Sequence, residues 1–209
     1  MAKDRLVPYL QGTLIKSQNG ELRQMRITTA ETTPGKQLRT AKDYSDVFLR
    51  KLGQFGHLKT LNVVIDSRGG SFYSAAGIQD ALHKLTSGRK PAVDSIRFLI
   101  DGRCASAATY VAFGMYDRSA VFITPRSRVY VHMPKVYQYT RTDGIWGMIE
   151  KIGTKLTKKS FVGLYKRKTG RPAAEIWEWM KNGKWFTAEE AVDVGFCDGI
   201  MTRTQFDRG

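Results

Sequence analysis

Two short apolar runs constrain this chain more than anything else in it. LNVVID (61–66) and SIRFLID (95–101) have the length and β-rich content of buried strands. A loop of small residues follows each: SRGGS (67–71) after the first, and GRCAS (102–106) after the second. A segment with helical spacing comes next in both cases, AAGIQDALHKL (75–85) and then 105–116. Strand, small-residue loop and helix, repeated in tandem, predict an α/β fold with a mainly parallel core sheet. In such sheets ligand sites gather where strands end and helices begin. Gly69-Gly70 and Ser106 are therefore expected side by side on one edge.

The rest of the chain fits around these units. Leu38, Tyr44, Val47, Phe48 and Leu52 predict a helix within 37–55, and TSGRKPA (86–92) closes the helix over 75–85. AVFITP (120–125) and RVYVHM (128–133) read as two further strands. Apolar positions from Ile145 to Tyr165 predict a long amphipathic helix over 145–168. PAAEIWEWM (172–180) begins a helix with proline in its first position. Thr187 and Glu190 form a capping box for a helix that stops at Gly195. Residues 1–25, with a turn at Gln18-Asn19-Gly20, read as a flexible or hairpin-like N-terminal segment, and 26–209 as the main domain.

Composition narrows the function classes. The 209 residues suit one domain with a sizeable core. No apolar run approaches the ~20 residues of a membrane span, and the first residues lack a signal peptide's apolar core, so the protein is read as cytoplasmic with no membrane partner. Cys104 and Cys197 are too far apart in sequence for a disulfide framework or zinc pattern. Three histidines without an HExxH motif give no metal-site signal, and no cofactor is expected. Lys and Arg number 34 against 19 Asp and Glu, a net charge of +15. The bases crowd between Lys151 and Lys184, which suits an acidic partner or a solvated helix face. No aromatic-plus-basic motif supports nucleic-acid recognition beyond that charge.

Ser106 stands alone as a hydroxyl among Gly102, Cys104, Ala105, Ala107 and Ala108. Small neighbours serve close helix–sheet packing, and equally they let a substrate carbonyl reach a nucleophile. Acyl transfer also needs a base and N–H donors for an oxyanion. His132, at the end of RVYVH, is the candidate base. The N–H groups of Gly70 and Ala107 are the candidate donors. Taken together, these residues favour catalysis over packing.

VVIDSRGGS, GRCASAATYVAFG and ITPRSRVYVHMP, followed by WFTAEEAVDVGFCD, resemble in order and spacing the proteolytic subunit of the Clp protease. The resemblance covers about 60–200. It implies a crotonase-like (ClpP-type) α/β fold of repeated strand–helix units with a long protruding handle helix. It also implies a homo-oligomer, a heptameric ring often stacked in pairs, a polypeptide substrate, and a partner ATPase unfoldase. By position, Ser106 is the nucleophile, His132 the general base, and the Gly70 and Ala107 amides the oxyanion hole of a serine endopeptidase.

The chain departs from the family pattern in three places. The family's catalytic aspartate falls near Gly183, and no carboxylate lies between Glu178 and Glu189. Asn182 is the candidate third member, with Glu178 as an alternative. Arg68 replaces a frequent proline and adds positive charge beside the site, which suits acidic substrate segments. The helix corresponding to the ring–ring contact is strongly basic, which predicts a single ring, or ring pairing that needs high salt or an acidic partner. These departures keep other readings open: a non-catalytic ring subunit or scaffold, and a phage-type head maturation protease. A coenzyme A thioester hydratase of the crotonase fold would need paired carboxylates, and the strand–helix junctions present none.

Overall fold

The computed structural model describes residues 7–16, 22–32, 41–114, 119–134 and 144–208. The turn at Gln18-Asn19-Gly20 lies outside them, as do the side chains of Ile145, Ile149 and Ile152.

Strands β1 (Val7–Lys16) and β2 (Leu22–Thr32) form an antiparallel hairpin. The boundary expected at residue 25 falls inside β2, which pairs in parallel with β3 (Leu58–Ser67) from Met25↔Val63 to Thr28↔Asp66. β3 pairs in parallel with β4 (Val93–Ala105), and β4 with β5 (Ser119–Ile123). β6 (Arg128–Val131) joins the far end of β4 in parallel, and β7 (Lys184–Phe186) adds antiparallel to β6. β8 (Gly199–Ile200) closes the other edge beside β5. The core sheet is thus parallel, with antiparallel additions at the β1 edge and on β6.

The predicted helices are present with shifted ends: α1 (Ala41–Gly53), α2 (Phe72–Thr86), α3 (Ala107–Ala112), α4 (Gly144–Thr169), α5 (Ala173–Asn182) and α6 (Ala188–Asp193). α3 is shorter than expected, because Phe113 already leaves the helical conformation. Pro172 is the N-cap of α5 rather than its first residue. The capping box is complete: Thr187 Oγ1 accepts from the Glu190 N–H, and the Glu190 carboxylate accepts from the Thr187 N–H. A last helix, α7 (Arg203–Arg208), is new to the structure.

The apolar runs read as continuous because both faces of the sheet are covered. Val63, Ile65, Phe98 and Ile100 belong to the main core with α2, α3, α4 and α6, whereas Val64 and Leu99 pack with Phe206 of α7 on the other face. Each such side chain, fully buried, contributes about 1.5–3 kcal/mol.

One irregularity positions the site. Ile65 pairs with Ile100, but Ser67 pairs with Cys104, so β4 bulges in between. Gly102 takes φ +128 in this bulge; its N–H donates to Ser127 Oγ (2.7 Å), and the Arg103 N–H donates to Asp66 Oδ1 (3.0 Å). Before the bulge β4 pairs with β5. After it, Arg103–Ala105 pairs with β6. The bulge therefore delivers the end of β4, and Ser106 after it, to the side of β6.

Candidate active site

Ser106 caps α3 with φ 56 and ψ −125, and among the described residues it is the only non-glycine at positive φ. Such a conformation costs on the order of 1–3 kcal/mol and persists only where its surroundings hold it. They do so here through the main chain. The Ser106 N–H donates to Tyr130 O (3.0 Å). The Ser106 carbonyl accepts from the Thr109 N–H (3.0 Å) and from Thr109 Oγ1 (2.5 Å). Because the Thr109 hydroxyl spends its proton there, the Tyr165 hydroxyl donates to it at 2.6 Å. Burial pushes the Tyr165 phenol well up, which keeps it a donor.

The diglycine loop abuts this turn, as the strand order predicted. Gly69 sits at φ +90, where a Cβ would lie 2.6 Å from Ala105 O and 2.8 Å from Ser106 Cβ. The same Cβ would be 3.0 Å from Ala107 N, so only glycine fits. The Gly69 N–H donates to Ser67 Oγ (3.1 Å), and Thr29 Oγ1 donates to Gly69 O (2.8 Å). Ser67 and Thr29 also share a hydroxyl–hydroxyl bond of 2.8 Å. With the first glycine's amide engaged, Gly70 carries the next N–H of the loop. The Ala107 N–H is a first-turn amide, which has no acceptor within its own helix.

His132 follows directly on β6 and is half-buried. Its ring stacks on Tyr130, with centroids 5.2 Å apart and planes at 19°. The next residue is clamped, since the Met133 N–H donates to Met180 O (2.7 Å) at the end of α5. Tyr130 therefore connects the two halves: its carbonyl holds the Ser106 N–H, and its ring lies against His132.

The third candidate sits differently. Asn182 is exposed at the end of α5, and its amide donates to Glu178 Oε2 at 3.4 Å, so the two alternatives for this role bond to each other. At Gly183, φ is +70 and a Cβ would lie 2.6 Å from the Tyr130 hydroxyl. The sequence reading missed this tyrosine, although its place two residues before His132 on a strand puts both on one face. Arg68 points to an ion pair with Glu31 on β2, which offsets its charge beside the site.

Neither cysteine competes as a nucleophile. Burial pushes the Cys104 thiol well up, with Cys197 nearby adding to the effect. Burial likewise pushes the Cys197 thiol up to about 12. Among the described residues no group of three or more His, Cys, Asp or Glu is placed to hold a metal ion. Nor is any described helix long and apolar enough to cross a membrane.

Comparison with known proteins bears on the family and the fold. The chain is 29% identical over 147 residues to ATP-dependent Clp protease proteolytic subunit 1 of Chlamydia caviae, covering 66% of this chain and 68% of the relative. It is 28% identical over 149 residues to proteolytic subunit 2 of Bifidobacterium longum, covering 69% and 65%. A solved structure of a ClpP1 mutant from Listeria monocytogenes superposes with a TM-score of 0.60 at 21% identity, over 79% of this chain and 86% of that one. This likeness shows the ClpP-type fold. The family model described as Clp protease matches residues 39–204, and the chain belongs to the Clp protease family.

Proposed function

We propose that the protein is a serine endopeptidase with Ser106 as nucleophile and His132 as general base. One observation carries the reading: the only strained non-glycine among the described residues is a serine, bonded through its N–H to the residue that stacks on His132. His132 takes the Ser106 proton as Oγ attacks a peptide carbonyl. The carbonyl electron pair moves onto oxygen, where the Gly70 and Ala107 N–H groups receive it. Collapse expels the amine, which takes the proton from His132, and water then releases the acyl group by the same route. One oxyanion donor in such a site is worth ~3–4 kcal/mol in the transition state. Asn182 would fill the third role by offering its amide oxygen to the His132 ring. An amide there costs ~10⁴ in rate in the worked serine-protease example.

The relatives' names support protease function in general and describe those proteins as ATP-dependent. From the family resemblance we further propose that this subunit works in an oligomeric ring of heptameric type in the cytoplasm, fed polypeptide by an ATPase unfoldase. α4 is the handle helix between rings, and its exposed Lys155, Lys159, Lys166 and Arg167 favour a single ring. A stable double ring by light scattering at physiological salt would remove that last point.

The test is labelling with a fluorophosphonate probe, read by intact mass. One adduct is expected on the wild type and none on Ser106→Ala or His132→Ala. The bond between Asn182 and Glu178 favours a second reading, a non-catalytic ring subunit or scaffold. An unlabelled, folded and assembled wild type would point to it, or to an enzyme that waits for its partner. Cleavage confined to capsid or scaffold segments would instead mark a phage-type head maturation protease.

A further inference from the structure

Where the family's acid is expected, this chain has a ring. β6 and β7 pair antiparallel with Tyr130 directly opposite Trp185. Opposed residues on such strands bring their side chains together, and a residue two further on shares the face. The rings follow this geometry. Tyr130 and Trp185 stack at 4.5 Å and 26°, and Tyr130 and His132 at 5.2 Å and 19°. Both separations lie in the range of favourable aromatic pairs. The Tyr130 hydroxyl then reaches to where a side chain at Gly183 would begin. The aligned acid position and the Tyr130 ring compete for one space, and in this chain the ring holds it.

We infer that Tyr130 is a positioning residue for His132, its ring face setting the imidazole plane and stabilising the imidazolium formed when Ser106 is deprotonated. This rests on the reading of Ser106 and His132 as nucleophile and base. The chemistry is that of a cation over an aromatic face. A carboxylate fixes a histidine through one N–H and offsets its charge directly. A stacked ring fixes the plane and offsets the charge through its quadrupole, a smaller effect. Trp185 is 45% exposed and supports Tyr130 from β7. The same tyrosine fixes the Ser106 N–H through its carbonyl, so a single strand residue sets the spacing of nucleophile and base.

The experiment measures kcat and KM on an unstructured fluorogenic peptide, together with the rate of fluorophosphonate labelling, on the assembled full-length protein. Tyr130→Phe keeps the ring and is expected within about twofold of wild type. Tyr130→Leu is expected to lose about tenfold to thirtyfold in kcat and labelling rate with KM within twofold. Trp185→Leu, at an exposed position, is expected to lose about threefold and serves if Tyr130→Leu fails to fold. A series of increasingly fluorinated phenylalanines at position 130 keeps the shape and weakens the ring quadrupole. The labelling rate should fall step by step along it, a trend that packing alone does not produce.

A flat fluorination series overturns the inference, as does Tyr130→Leu at wild-type rate or a change confined to KM. If Ser106→Ala and His132→Ala abolish turnover in the same assay, that failure belongs to the inference alone. If either keeps wild-type turnover, the reading of the site itself has failed and takes the inference with it.

Discussion

The two halves of the site are built in different materials. On the nucleophile side, the main chain does most of the holding, with the Thr109 hydroxyl bonded to it. β4 bulges at Gly102, Ser106 is bonded at its N–H and its carbonyl, and Gly69 leaves no room for a Cβ. On the base side, side chains do the holding: His132 follows a four-residue strand and lies on a stack of rings that opens to solvent at Trp185. Main-chain constraints are all-or-none, because backbone cannot give way without moving whole strands. Ring stacks respond by degrees. Substitutions on the first side should therefore break the site, and those on the second should tune it.

The largest expected effect is from Gly69→Ala. The new methyl would stand 2.6 Å from Ala105 O at a φ that favours glycine, so the diglycine loop or the serine turn must move. A shift of about 1 Å in a catalytic group costs on the order of 10²-fold. Fluorophosphonate labelling should fall at least that far. A rate within tenfold of wild type would show that the nucleophile side gives way like the other.

Thr109→Val ranks next and acts on stability as well. It removes the hydroxyl that bonds the Ser106 carbonyl and leaves the buried Tyr165 hydroxyl without that partner. A buried polar group so stranded costs about 1–3 kcal/mol. For a chain of this size that lowers Tm by roughly 2–12 °C. Thr109→Ser, which keeps the hydroxyl, should recover most of the loss in a thermal melt.

This difference between the halves also decided what was legible in the sequence. The nucleophile side is local. Strand, small-residue loop and helix fall within LNVVIDSRGGS and SIRFLIDGRCASAATY, so both units and the meeting of the diglycine with Ser106 could be expected. The capping box at Thr187 and Glu190 is local too, and is complete in the structure. The base side is assembled from 130, 132, 183 and 185, on and directly beside strands of four and three residues with too few positions to show a period. β8 has two residues and α7 a single buried one, so neither carries a pattern. The Gly102 bulge was hidden for another reason. Its cause is a change of partner from β5 to β6, which belongs to tertiary pairing alone.

Gly183→Asp would place a carboxylate near the aligned acid position, and the comparison predicts that it will not help. Its Cβ meets the Tyr130 hydroxyl at 2.6 Å, and φ +70 strains any side chain there. Backbone strain of this kind costs about 1–3 kcal/mol. The variant should melt lower and label no faster than wild type. A gain of tenfold or more would mean that the ring yields to the acid, and that the base side is looser than the stack suggests.

The smallest effect is expected at Arg68, and it separates charge from structure. The guanidinium pairs with Glu31, both side chains being well exposed. Pairs of this kind are worth about 0–1 kcal/mol. Arg68→Ala should thus leave Tm within about 3 °C of wild type. If Glu31 offsets the arginine, the ratio of kcat/KM for acidic over neutral peptides should also stay within about twofold. Glu31→Gln tests the converse. It keeps the shape, releases the positive charge beside the diglycine loop, and should raise that ratio, more at low salt than at 0.15 M, where the screening length is about 8 Å. A fivefold loss of acidic preference in Arg68→Ala would show instead that the arginine leaves Glu31 for the substrate. The nucleophile side would then contain one adjustable part after all, a side chain on an otherwise rigid loop.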